Sequence, residues 1–242
     1  MSYFSVSQLA FGCTNFRGAD DVLTPRKQPI QKRSIATVAA ILEGAAQVLE
    51  RDGSDGFTTN AIAERAGVSI GTLYQYYPDK NAIAAALSRA VRSALVERIA
   101  SAVEAAQGLS LREGLRLLTN AALQSDAARP RFARALDALE AHLGLDEEEG
   151  AAIYRELAAQ GAQFLKAKIP GSSLAELSAA AYDMLAVTNA LADAALRRNN
   201  RIGDDLVERI VSLSLEVLRS HLQLSPRGPD CVNLRLFRRD GQ

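Results

Sequence analysis

Apolar side chains recur along most of this chain with the period of an α-helix. The first clear run starts at Ser34, where Ile35, Val38, Ala39, Ile41, Leu42, Ala45, Ala46, Val48 and Leu49 form a broad apolar face. Such a face, recurring at three- and four-residue steps, is what a helix needs to bury one side. Gly53 and Gly56 end this segment. Two short helices are predicted next: residues 60–66, closed by Gly67, and residues 70–77, opened by Ser69 as N-cap and closed before Pro78. Asp79 is placed to cap a long helix from Lys80 to about residue 107. Further periodic segments cover about 110–125, 130–143, 146–168, 173–199 and 204–223, with breaks at Pro130, Gly144, Pro170, Gly171 and Gly203. The pattern predicts an all-α fold, with a three-helix N-terminal unit and a larger helical C-terminal body.

Composition supports this reading. Of the 242 residues, 48% are hydrophobic, enough for a sizeable core. Only 5% are aromatic and there is no Trp, so Ala and Leu, both good helix formers, carry the apolar content. The formal net charge is zero, so a nucleic-acid partner must be sought in local clusters. One such cluster, Arg26, Lys27, Lys32 and Arg33, is interrupted by Pro29 and precedes the first helix. It reads as a basic arm suited to phosphate or minor-groove contact. Residues 1–25 lack periodicity and are expected to form a disordered leader; the basic residues 225–242 are expected to form a flexible tail. Cys13 and Cys231 stand alone and read as reduced thiols. No stretch approaches the roughly 20 apolar residues of a membrane span, and a soluble, cytoplasmic protein is expected.

The most informative stretch is residues 59–77. Two short helices that meet steeply need a small residue inside the first, where Ala63 stands, and a residue tolerant of positive φ at the turn, where Gly67 stands. Ile62, Val68 and Leu73 supply apolar pegs, and Ser69 caps the second helix, leaving its N-terminal N–H groups outward. Leu73 and Tyr77, at i and i+4, are expected to face the core. Tyr74 and Tyr76, with Thr72 and Lys80, are expected to present phosphate donors. Gly71 allows close approach to a duplex, Gln75 can pair with adenine, and Ile70 and Thr72 can touch a thymine methyl.

Residues 34–85 resemble the DNA-binding domain of the tetracycline-repressor (TetR/AcrR) family. The resemblance rests on Ile41 to Ala46, Gly56 to Thr59, Ile62 to Ser69 and the run Gly71 to Lys80. It implies phosphate contacts from Thr59, Tyr74, Tyr76 and Lys80, with Thr58 and Ser69 at the same surface, and base contacts from Ile70, Gly71, Thr72 and Gln75. Ile70 departs from the family pattern, in which a basic or small polar residue is frequent at that position. The resulting division is a helix-turn-helix domain with its arm over 26–80 and a ligand-binding and dimerisation domain over 81–224.

In that body, the stripes Leu177, Ala181, Met184 and Leu191, and Leu206, Ile210, Leu213 and Val217, are the expected dimer interface. Asn120, Phe132, Tyr154, Phe164, Tyr182, Thr188 and Asn189, with Gln160, are the candidate ligand-pocket residues, being polar or aromatic within apolar runs. No nucleophile–base pair, metal cluster or Gly-rich phosphate loop stands out, so no catalytic residue, metal or cofactor is expected. The expected function is a homodimeric repressor that binds an operator and is released by a small-molecule effector. The alternatives are a DNA binder controlled by a protein partner or by abundance, and a helical enzyme or carrier.

Overall fold

The computed structural model describes residues 32–143, 147–199 and 201–222, and these are helical apart from their turns. In chain order the helices are α1 (Lys32–Asp52), α2 (Thr59–Ala66), α3 (Ile70–Tyr76), α4 (Lys80–Ala105), α5 (Leu111–Ala128), α6 (Pro130–Leu143), α7 (Glu147–Lys168), α8 (Leu174–Asn199) and α9 (Asp204–His221). None of them is long and apolar enough to cross a membrane. The leader, Arg26 and Lys27, both cysteines and the tail lie outside the described residues.

The described chain forms two compact units, and α4 supplies residues to both. The first unit holds the chain up to Ala94 and, from further along, α6 from Arg131 onward. Its core joins Ile41, Leu42, Leu49, Phe57, Ile62, Leu73, Tyr77, Ile83 and Leu87, all nearly inaccessible, with Phe132, Leu136 and Leu139 of α6. Each such large side chain contributes about 1.5–3 kcal/mol when removed from water. Polar contacts tie α6 to α4 in the same unit: the Glu140 carboxylate accepts from the Ser88 hydroxyl and from Arg92, the latter at 2.9 Å. A sequence boundary at residue 80 and this division after Ala94 therefore differ, because α6 returns to complete the N-terminal core. Phe132, expected in a ligand pocket of the body, is 7% exposed within that core instead.

In the second unit α8 packs along α7 and α9, and α5 along α9. Leu115, Leu123, Leu165, Leu177, Ile210, Val211 and Leu218 fill its core. The pairing of α5 with α9 is reinforced by Glu208, which accepts from Arg116 at 2.5 Å and from Arg112 at 3.2 Å. The Arg116 bond is the main reason the Glu208 carboxyl sits below its ordinary range. Ser110 and Ser173 open α5 and α8 with capping boxes: each hydroxyl caps the N–H three residues on, while Glu113 and Glu176 reach back to the serine N–H. The S-x-x-E spacing carried this signal in the sequence.

Phe164, a second expected pocket residue, is 3% exposed and packs against α5 at Gly114. A Cβ built on Gly114 would lie 2.2 Å from Phe164 Cζ. Gly114→Ala must therefore move a buried ring, and should cost about 1–3 kcal/mol by denaturant titration, as overpacking does. An unchanged midpoint would show that the ring relocates freely.

Candidate nucleic-acid interface

The interface is built on α2, α3 and the turn between them. Thr58, extended at φ −123° and ψ 151°, opens α2, its side-chain oxygen accepting from Ala61 N–H at 3.3 Å. Gly67 ends α2 in the left-handed region at φ 68°, where a Cβ would be strained. The Val68 N–H returns to Ala63 C=O at 3.0 Å and closes the turn. Ser69 then caps α3, its Oγ accepting from Thr72 N–H at 3.0 Å and lying 2.8 Å from Thr72 Oγ1. Ile62 and Ala63 are buried, Leu73 is fully so, and Val68 packs partly buried against the same core. These are the small residue, the pegs and the turn that two steeply crossing helices require.

Two features hold this unit on α1. Gly44 faces the end of α2 so closely that a Cβ on it would lie 2.9 Å from Ala66 N. Arg65 of α2 donates to Gln47 Oε1 of α1, and Gln47 donates in turn to Glu43 at 2.7 Å. Arg65 is thus a brace between helices. Neither Gly44 nor this brace follows from periodicity, since both depend on where two helices cross.

The outward strip of α3 consists of Ile70 (39% exposed), Gly71, Tyr74 (43% exposed) and Gln75, with Ser69 and Thr72 beside it. The Tyr74 hydroxyl lies 3.2 Å from Thr59 Oγ1, which positions it at the start of α2. Lys80 is exposed at the start of α4, and the neighbouring Asp79 is occupied in capping that helix through Ala82 N–H at 2.8 Å. Lys32 and Arg33 open α1. Tyr76 differs from expectation. Instead of presenting an exposed hydroxyl, it is 9% exposed in the core, one turn beyond Leu73 on the inner side of α3. Tyr77 follows in extended conformation at φ −127° and is buried too, so that burial pushes its hydroxyl pKa well above the ordinary value.

Two stretches of the chain match family models. Residues 41–87 match the model for bacterial regulatory proteins of the tetR family, and residues 110–218 match that of the tetracyclin repressor-like C-terminal domain. The chain belongs to the TetR family. It is therefore a DNA-binding transcriptional regulator of the helix-turn-helix type. Solved TetR-family regulators share the fold. One from Mesorhizobium loti, 20% identical, superimposes with a TM-score of 0.62 over 78% of this chain and 98% of its own. One from Streptomyces coelicolor, 22% identical, gives 0.57 over 77% and 98%. The fatty acid degradation regulator FadR from Bacillus halodurans, 19% identical, gives 0.59 over 81% and 96%. No curated protein matches the chain significantly.

The residues expected to bind a ligand or a second subunit are distributed differently from the sequence reading. Asn120 is exposed on α5. Thr188 is buried but donates to Met184 C=O of its own helix at 2.8 Å. Tyr154, Tyr182 and Asn189 do come together, at the surface: Asn189 donates to the Tyr154 hydroxyl at 2.6 Å, and the two rings meet edge-on at 5.2 Å. Leu177, Ala181, Leu206 and Ile210, expected at a dimer interface, are buried in the chain's own core. Met184, Leu191 and Val217 are half-buried, and Leu213 is 44% exposed. The apolar face that α8 leaves outward is another one, carrying Ala175, Ala179, Tyr182, Ala186 and Ala190.

Proposed function

We propose that this TetR-family protein is a cytoplasmic homodimeric repressor that grips operator DNA with α2 and α3 and is released by a small-molecule effector. The observation that carries the reading is the exposed, uncharged strip of α3, with Tyr74 hydrogen-bonded to Thr59 at its flank. In this reading Thr58, Thr59, Ser69, Tyr74 and Lys80 serve phosphates, while Ile70, Gly71, Thr72 and Gln75 meet base edges. The arm of Arg26, Lys27, Lys32 and Arg33 adds salt-dependent affinity.

Two heads must address half-sites about 34–36 Å apart, which calls for a second subunit. The outward face of α8, with Leu213 and Val217 of α9, is the apolar surface this reading assigns to contact with the second subunit. His221 of α9 bonds Asp183 of α8 at 2.7 Å and fixes the two helices relative to each other. For an effector, the body offers partly buried polar groups. Arg98 donates to Ala121 C=O, and burial lowers its pKa while raising that of Asp126 nearby. Gln160 Oε1 is buried and accepts no hydrogen bond among the described residues. A ligand there acts on DNA affinity only through a preference for the non-binding state.

The test is a gel shift with DNA from immediately upstream of the gene, using the full chain, Tyr74→Phe and Gln75→Ala. Gln75→Ala should weaken specific binding about 5- to 100-fold, as loss of a good base contact does. Binding by both variants equal to that of the parent protein would remove α3 as the reader.

A further inference from the structure

Four facts about α3 converge on the kind of base it reads. First, Ile70 is a large apolar side chain left 39% exposed on the outward strip. Second, its polar neighbours are already engaged: Ser69 with Thr72, and Tyr74 with Thr59. Gln75 alone on the strip forms no side-chain hydrogen bond among the described residues. Third, nothing among the described residues requires glycine at 71, since a Cβ there would meet only Ser69 Oγ at 3.8 Å, an ordinary contact. A glycine inside a helix costs about 0.5–1 kcal/mol relative to alanine, so its benefit must lie outside the fold, in close approach of α3 to another surface. Fourth, no Lys, Arg, Asp or Glu occurs between Gly67 and Pro78.

We infer that Ile70 is a specificity residue that packs on the 5-methyl group of a thymine in each operator half-site. The inference rests on α3 being the DNA reader. Thymine alone among the bases puts a methyl group in the major groove. An isoleucine neither donates nor accepts, so opposite guanine or cytosine it would leave a desolvated base edge unpaired. Arg and Lys make the commonest specific guanine contact, and α3 has neither. Ile70 and Gln75, five residues apart, are separated by about 7.5 Å along the helix axis, or roughly two base-pair steps of about 3.4 Å.

The experiment begins with selection of bound fragments from random DNA by the full-length protein. Uracil, which lacks the methyl group, then replaces each thymine of the recovered site in turn. One position per half-site should lose about fourfold in affinity, the worth of one buried methyl group. The Ile70→Ala protein should bind the parent site more weakly and be indifferent to uracil at that position. Equal binding of every uracil-substituted site by the parent protein overturns the inference while leaving the reader intact. So does a selected half-site without A·T pairs. Failure to select any sequence overturns the reading of α3 as well. The substituted DNA is tested on the unaltered protein, so the outcome does not depend on the variant folding.

Discussion

Leu73→Ala should destabilise the first unit by about 2–5 kcal/mol, the range for emptying a fully packed leucine site. Leu73 has no accessible surface, and it is the peg through which α3 joins the core of α1, α2, α4 and α6. Neighbouring Tyr76 and Tyr77 cannot collapse into the space, because both are already packed there. Native domains are stable by only about 5–15 kcal/mol. The loss should therefore appear as a lowered denaturation midpoint together with weakened operator binding. A midpoint within error of the parent protein would mean that α3 is held chiefly by its polar caps.

The second large effect is expected at Gly44. A Cβ there already approaches Ala66 N to 2.9 Å and Ala66 Cα to 3.1 Å, and both are backbone atoms that cannot swing aside. Gly44→Val adds two more carbons, so α2 must lift from α1 or α1 must bend. The cost should be about 1–3 kcal/mol, or more, as for other overpacked sites. Its signature would differ from that of Leu73→Ala. The helix that moves is α2, which carries Thr59 and through it the Tyr74 hydroxyl, so operator affinity should fall further than stability alone accounts for. Equal affinity at a temperature where both proteins are folded would show that the α1–α2 crossing does not position the reader.

Much of this architecture could be read from periodicity and punctuation. The helices begin and end close to the positions marked by Gly53, Gly67, Ser69, Pro78, Pro130 and Gly203, because caps and breakers act locally. The turn geometry at Gly67 was legible for the same reason. What escaped is what depends on the partner of a face. On α8 alanines occupy both sides, so the pattern does not distinguish the inner seam of Leu177 and Ala181 from the outward row of Ala179 and Ala186. Tyr76, three residues beyond Leu73, shares its inner face by helix geometry, and Tyr77 enters the core as well because the chain turns extended there. An aromatic ring in an alanine-rich helix is conspicuous in the sequence whichever face it lies on, and both Phe132 and Phe164 lie in hydrophobic cores.

The discontinuous make-up of the first unit bears on how the protein is born. A ribosome releases α1 to α4 before it has made α6, and the core that supports the reader is incomplete until Phe132, Leu136 and Leu139 emerge. At about 5–20 residues per second, the stretch between Ala94 and Phe132 takes roughly 2–8 s to translate. During that interval the nascent head lacks the apolar side chains that α6 adds to its core. A message truncated within α5 would therefore yield a helix-turn-helix that is complete in sequence but unsupported, prone to capture by chaperones or proteases. The core of the head is therefore complete only when more than half the polypeptide has been synthesised.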